Sequence, residues 1–331
     1  MSVDPSEARF PSVPQARGHY ESFYLRACSP DEPLGVWIRY TVHKRPGRPV
    51  TGSLWFTLFD RSAPGPVASK VTLPAEHVKA GGGSFIEIGD SAFAPGRASG
   101  SAPTDQASPS WRLTYESEAP ALAHLPRDWM YRTPIPRTKL TSPAPSAIFE
   151  GDVELDGRRI AVDGWRGMVG HNWGSQHAER WVWMHGIGLG TDGAAWLDVA
   201  IGRVKLGPVT TPWIANGAVW LDGRLHRVGG PGARGTKVGE RTDGCAFVLP
   251  GGDVTLTGEV LAPQKDFVSW VYADPEGPEH NTVNCSIAEM RFTAEGAHVP
   301  ATELATDHCA AYELGMRETD HGVAIEPFPD G

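Results

Sequence analysis

The sequence predicts an all-β fold of two antiparallel β-barrels packed together, and three observations predict it. Short segments alternate apolar and polar residues with period two. The 39 Gly and 29 Pro are spread along the chain as punctuation between those segments. No window keeps an apolar i, i+3, i+4, i+7 pattern over three turns, and the one modest helix candidate is Pro74 to Lys79.

In chain order, Gly35 to Val42 sets Val36, Ile38, Tyr40 and Val42 on one face and Arg39 and Thr41 on the other, a half-buried strand. The same alternation predicts strands at Ser53–Phe59, Trp111–Glu116, Arg180–His185, Ala194–Val204, Asp253–Val260, Phe267–Tyr272, Ser286–Phe292 and Cys309–Leu314, most closed by Gly, Pro or Asp. Strands at this spacing suit closed barrels, because closure removes exposed edges. A length of 331 residues suits two domains, placed at 1–176 and 177–331. Ala94 to Pro109 reads as a long surface loop. Pro134 to Pro145 reads as an extended segment crossing irregularly, since proline has no donor for a sheet ladder.

Composition excludes several classes. With 40% hydrophobic and 21% charged residues the chain folds without covalent staples. Net charge is −9 and the longest basic cluster, His43 to Arg48, is short and turn-like, so no nucleic-acid partner is expected. The first residues carry neither a basic nor an apolar signal region, and no apolar run approaches a membrane span. A cytoplasmic protein with no transmembrane segment is expected. Cys28, Cys245, Cys285 and Cys309 lack CxxC spacing and read as buried free thiols.

The chemistry is concentrated between Gly164 and Asp198. Residues 165–196 hold five of the twelve Trp, where even spreading would give about one. Gly167, Gly170 and Gly174 permit close backbone approach or positive φ, which suggests a tightly turned piece carrying His171, Asn172 and Trp173. On the next strand Trp181, Trp183 and His185 share a face expected to line a cavity; after it, Trp196, Asp198 and Ala200 share another.

Gly170-His171-Asn172-Trp173-Gly174, the Trp-rich strand and Trp196-x-Asp198 together resemble the AttH-like, carotenoid hydratase (hydroxyneurosporene synthase) and tocopherol cyclase superfamily. The likeness covers most of the chain in layout, and its specific part is residues 164–198. It implies two lipocalin-like barrels and work on isoprenoid or other hydrophobic molecules; related proteins include pericyclic cyclases. In the carotenoid hydratases a His-x-Trp element precedes an aromatic-x-Asp element whose Asp is assigned the protonation of an alkene. His171-x-Trp173 and Trp196-x-Asp198 match these places. Trp196 stands where the hydratases carry Tyr, which implies a different substrate.

Protonating an alkene needs an acid in a dry pocket, where burial raises a carboxyl pKa, and indole faces stabilise the resulting cation by ~1–2 kcal/mol each. Asp198 is the expected acid, with His171 in hydrogen-bond reach as its catalytic partner. Trp173, Trp181, Trp183, His185, Trp196 and Asn172 are the expected substrate contacts. No cofactor is expected, and no metal, because His171, His177 and His185 lack HxH or HExxH spacing. Each residue also has a plainer reading. Asp198 fits an outward position on a strand whose Leu197, Val199 and Ile201 face the core, His171 fits a structural hydrogen-bonding residue, and the Trp cluster fits ordinary core. Glu179-Arg180 fits a structural ion pair. The expected function is a cofactor-independent cyclase, isomerase or hydratase acting on an isoprenoid-like or polyketide-like molecule by acid catalysis. The alternatives are a non-catalytic carrier of a hydrophobic ligand and a pericyclic cyclase that works by shape without an acid.

Overall fold

A computed structural model of the chain describes residues 3–230, 233–277 and 279–328. Its 62% strand content settles the class, and the helical residues form only short 3-10 turns. The strands build two large antiparallel sheets, curled into one nearly closed barrel and one half-barrel.

The first sheet runs in the spatial order Val67–Pro74, Thr51–Asp60, Leu34–Lys44, His19–Cys28, Arg158–Gly174, Thr138–Leu155, Pro109–Glu116, Arg97–Ser101, Ser91–Ala94, Ser84–Ile88, Val78–Gly81. The second runs Arg224–Gly229, Ile214–Leu221, Ala195–Arg203, Arg180–Leu189, Val299–Met316, Glu279–Gly296, Thr255–Leu261, Gly244–Pro250, Lys237–Arg241. The two share a layout. In each, the first strand pairs with the last, the last two form a long hairpin, and the penultimate strand also takes a short extra partner. That partner is Leu122–Ala123 in the first sheet and Val268–Ala273 in the second. Both long hairpins are bulged, with register shifts at Thr141/Ala144 and Ala144/Ala147 and at Cys285/Ala288 and Ala288/Met290. Bulges bend a strand and increase its twist, which lets such long strands follow a curled sheet.

Val36, Ile38, Tyr40 and Val42 face the interior of the first sheet with Phe23, Leu25 and Phe56, as the alternation predicts. The opposite face is not solvated. Trp37, Trp55 and Phe59 join the second sheet's core beside Trp270 and Tyr272, and the Arg39 guanidinium lies 4.3 Å from the Tyr272 ring centre. These strands are therefore covered on both faces.

Several local expectations are corrected. Within Pro74 to Lys79 only Ala75–His77 forms a single 3-10 turn, and Val78–Gly81 is a strand. Ala94 to Pro109 contains the paired strand Arg97–Ser101. Pro143 and Pro145 lie inside the Thr138–Leu155 strand, at its register shifts, where the ladder is already interrupted and a missing N–H costs little. His171, Asn172 and Trp173 are not on a turn: Arg158–Gly174 is one continuous strand, and Gly167, Gly170 and Gly174 are not among its positive-φ residues. Their glycines serve close approach instead. A Cβ on Gly167 would stand 1.9 Å from the Arg26 carbonyl oxygen, and one on Gly170 would stand 2.2 Å from the Tyr24 ring. The four cysteines are free and buried. No helix among the described residues is long and apolar enough to cross a membrane.

Candidate active site

Trp183 and His185, on one face of Arg180–Leu189, turn onto the first sheet, so these two side chains lie in the seam between the two sheets. Trp183 packs with Tyr24, Met168 and Ala311, its ring edge-on to Tyr24 with centres 5.8 Å apart. Asp198, directly opposite His185 in register, is fully buried in the same seam. One of its oxygens accepts from Ser142 Oγ at 2.5 Å, and the other accepts from Trp183 Nε1 at 3.1 Å. The bulge at Thr141/Ala144 brings Ser142 to this position.

The charge partner of Asp198 is His124, which follows the short strand Leu122–Ala123. Its Nε2 stands 3.1 Å from Asp198 Oδ1, close enough for an ion pair when the ring is protonated but at an angle poor for a directed hydrogen bond. The other ring nitrogen, Nδ1, is buried with no protein partner. Burial alone would raise the Asp198 pKa. The His124 and His185 rings and the Ser142 hydroxyl outweigh it and bring the carboxyl down to about 2. The raised pKa expected for Asp198 is thus reversed, because its pocket is polar rather than apolar. Tyr24 goes the other way: burial first, then the Asp198 charge, hold its phenol well above the ordinary range.

His185 is fully buried with both nitrogens in use. Arg26 Nη1 donates to Nδ1 at 2.9 Å, and Nε2 donates to the Pro145 carbonyl at 2.9 Å. Burial, then the Arg26 charge, lower its pKa to about 4. Arg26, also fully buried, donates further to the Ser286 and Cys309 carbonyls, so one guanidinium links both sheets. Trp196 shares the Asp198 face and stacks on Trp220 at 6.3 Å.

His171 is not beside Asp198. Its Nε2 bonds Glu21 Oε1 at 2.8 Å and its Nδ1 lies 2.9 Å from the Pro5 carbonyl, while its ring stacks on Phe23 and Trp173. Glu21 is fully buried and also accepts from His19 and from the Arg9 and Phe10 backbone N–H groups. Burial pushes its pKa up, but the bonds from His171 and His19 prevail and hold it at about 2. His171 therefore anchors the segment before the first strand. Trp173 belongs to the same anchor, with the Arg9 guanidinium 5.2 Å from its ring centre, and Asn172 accepts from Ser22 Oγ. Of the sequence-selected residues, the seam brings together Asp198, Trp183, His185 and Trp196, and leaves out His171, Asn172 and Trp173.

Trp181 belongs to a third cluster. It donates from Nε1 to Glu313 at 2.8 Å and stacks on His177 at 5.4 Å. His177, Asp274 and His280 each offer a donor atom within 4.8 Å of the other two, a set able to hold a metal ion. Glu179 and Arg180 do not pair with each other; Arg180 binds Glu240 and Glu318, and Glu179 binds Arg317. Two hollows, of about 340 and 470 Å³, lie elsewhere, against the Thr257–Gly258 stretch of the second sheet, and contain none of the site residues.

His124, Ser142, Tyr24 and Arg26 around the candidate site, and Glu21 in the His171 anchor, are residues that the sequence did not single out. Glu21, Tyr24 and Arg26 lie on His19–Cys28, Ser142 on Thr138–Leu155 and His124 just after Leu122–Ala123, with no motif spacing to mark any of them.

No family model matches the chain. The uncharacterized proteins MT0513 and Rv0493c of Mycobacterium tuberculosis, from strains CDC 1551 / Oshkosh and H37Rv, are each 27% identical to it over 333 residues, spanning 98% of this chain and 95% of their own length. Among solved structures it is similar to an AttH-type protein from Nitrosomonas europaea (TM-score 0.57, 17% identity, 95% of this chain and 98% of that one). CghA gives a TM-score of 0.60 at 11% identity, with 97% and 98% covered. Kievitone hydratase from Nectria haematococca gives 0.54 at 11% identity, with 95% and 92% covered. The chain has the lipocalin-like double-sheet fold of these proteins, as the Gly164–Asp198 pattern implied.

Proposed function

We propose that this chain is a small-molecule-modifying enzyme, a cyclase, isomerase or hydratase that moves protons in the seam around Asp198. The observation that carries the reading is a fully buried carboxylate 3.1 Å from an imidazole whose other nitrogen has no protein partner. A structural ion pair is normally completed by hydrogen bonds on every polar atom, whereas a proton carrier needs one position open. Similar folds in CghA and in a hydratase support the same class.

The electrostatics alter the expected roles. A carboxyl held at about 2 is a carboxylate at neutral pH, so Asp198 is the orienting and charge-stabilising member and His124 the proton carrier. Tyr24, kept as the phenol, supplies a donor for developing negative charge. An imidazolium is a weaker acid than a carboxylic acid and suits proton transfer at a carbon activated by a carbonyl better than protonation of an isolated alkene. We therefore favour a polyketide-like over an isoprenoid-like substrate, hydrophobic in either case, flanked by Trp183 and Trp196. Cyclisation, isomerisation and hydration are redox-neutral, so the chemistry requires no electron-carrying cofactor.

The test is to incubate the protein with a small-molecule extract and follow by mass spectrometry which compounds isomerise or gain water. Asp198→Asn and His124→Gln should each lower turnover by at least ~10²-fold with little change in ligand binding. Binding without conversion would identify a carrier. Near-wild-type turnover by Asp198→Asn would refute the proton-transfer role and leave a shape-driven cyclase.

A further inference from the structure

The cluster around His177 lies apart from Asp198 and plays no part in the chemistry above. His177 sits in the segment that carries the chain from the first sheet to the second, Asp274 directly follows the Val268–Ala273 strand, and His280 stands near the start of Glu279–Gly296. Asp274 and His280 are fully buried. His177 Nε2, Asp274 Oδ2 and both His280 nitrogens have no protein hydrogen-bond partner. So many orphaned polar atoms in one buried place are costly unless something satisfies them together.

We propose that His177, Asp274 and His280 bind a divalent transition-metal ion of the zinc class. Two imidazoles and a carboxylate suit zinc and its first-row neighbours, whereas magnesium and calcium take oxygen donors. The surroundings are those of a ligand set already held in place. Asp274 Oδ1 accepts both the backbone N–H and the Nδ1 of His177 at 2.7 Å, fixing that ring and leaving its Nε2 free. Tyr20 stacks on the His177 ring with centres 4.0 Å apart, and Trp181 with centres 5.4 Å apart. Three protein donors leave a further coordination position for water or a small anion. The ion would join the inter-sheet segment to the end of Val268–Ala273 and the start of Glu279–Gly296.

The three donors are spread over about a hundred residues, so no HxH or HExxH spacing marks them in the sequence. The test uses the full chain stripped with EDTA and titrated with zinc chloride by calorimetry and thermal melting. The expected result is one ion per chain and a rise in Tm of about 5 °C at ~100-fold Kd. His280→Gln and Asp274→Asn should each weaken binding by at least ~10²-fold with an unchanged circular dichroism spectrum. Cobalt added to the unaltered protein should give the visible absorption of a nitrogen- and oxygen-ligated site, a readout independent of whether the variants fold. No zinc uptake, uptake undiminished in both variants, or no cobalt spectrum would each overturn the site. None of these results bears on Asp198, whose variants report on turnover.

Discussion

Acidification should loosen the seam between the sheets, and His185 sets the size of the effect. In the folded protein its Nδ1 accepts from Arg26 and its Nε2 donates to Pro145, a pattern only the neutral ring can make. Adding a proton at Nδ1 would place an N–H against the guanidinium. Its pKa is about 4 folded and 6.5 in the ordinary state, so the unfolded chain binds the proton first as pH falls. The stability contributed is present above pH 6.5 and is lost as pH falls from 6.5 towards 4. At about pH 5 the loss is about 2 kcal/mol, since the unfolded chain is then largely protonated at this site and the folded one is not. Urea unfolding of the wild type and of His185→Gln at about pH 7.5 and about pH 5 measures it: the wild type should lose about 2 kcal/mol more than the variant. Equal losses in the two proteins would show that His185 titrates normally and that the Arg26 bond does not hold it neutral.

A lower pH window tests the two buried carboxylates. Asp198 and Glu21 both have folded pKa values of about 2, below their ordinary 3.8 and 4.5, so their stabilisation should vanish as pH falls through that interval, read by the same melts. Glu21→Gln should cost ~3–5 kcal/mol, since it breaks a buried network, and should speed hydrogen exchange at the Arg9 and Phe10 amides, which donate to that side chain. Gly315→Ala should cost ~1–3 kcal/mol and change the near-UV circular dichroism, because its Cβ would fall 2.1 Å from the Trp181 ring.

The fold was legible because its cause is local. Alternation in Gly35 to Val42 placed the correct residues inside, and the same pattern found Trp111–Glu116 and Arg180–His185, each within a real strand. What alternation does not report is the second layer. Arg39, on the face expected to meet solvent, lies over Tyr272 of the other sheet, and Thr41 is buried where the Trp55 indole donates to its hydroxyl. The site was half legible for the same reason. Trp183, His185, Trp196 and Asp198 share faces of adjacent strands, a matter of period two, and the seam uses those faces. The resemblance to the carotenoid hydratases, through His171-x-Trp173 and Trp196-x-Asp198, pairs His171 with Asp198. They belong to different sheets, and each found its partner across its own sheet or seam: Glu21 for His171, His124 for Asp198.

The repeated layout explains why both polar clusters lie where they do. In each sheet a short strand pairs with only part of the long penultimate strand, and the chain then leaves the ladder. The residue at that exit is His124 in the first sheet and Asp274 in the second. At such an exit the pairing frays, His124 keeping one backbone bond to the Leu140 carbonyl at 3.3 Å, so a polar side chain can be aimed inwards at the end of a ladder, while the strand beside it supplies a fixed wall. The wall contributes Ser142 in one case and His280 in the other. The third member comes from the second sheet or from the crossing segment, as Asp198 and His177. The first cluster thus needs both sheets and the second needs the link between them, which is why neither shows as a local motif in the sequence. If the layout is what places these groups, moving the exit should matter as much as changing the side chain. Inserting one Gly between Ala123 and His124 would keep every residue of the first cluster but shift the ring away from Asp198, and turnover should fall as far as in His124→Gln. Full turnover in the insertion variant would show that His124 is placed by its own contacts rather than by the strand that precedes it.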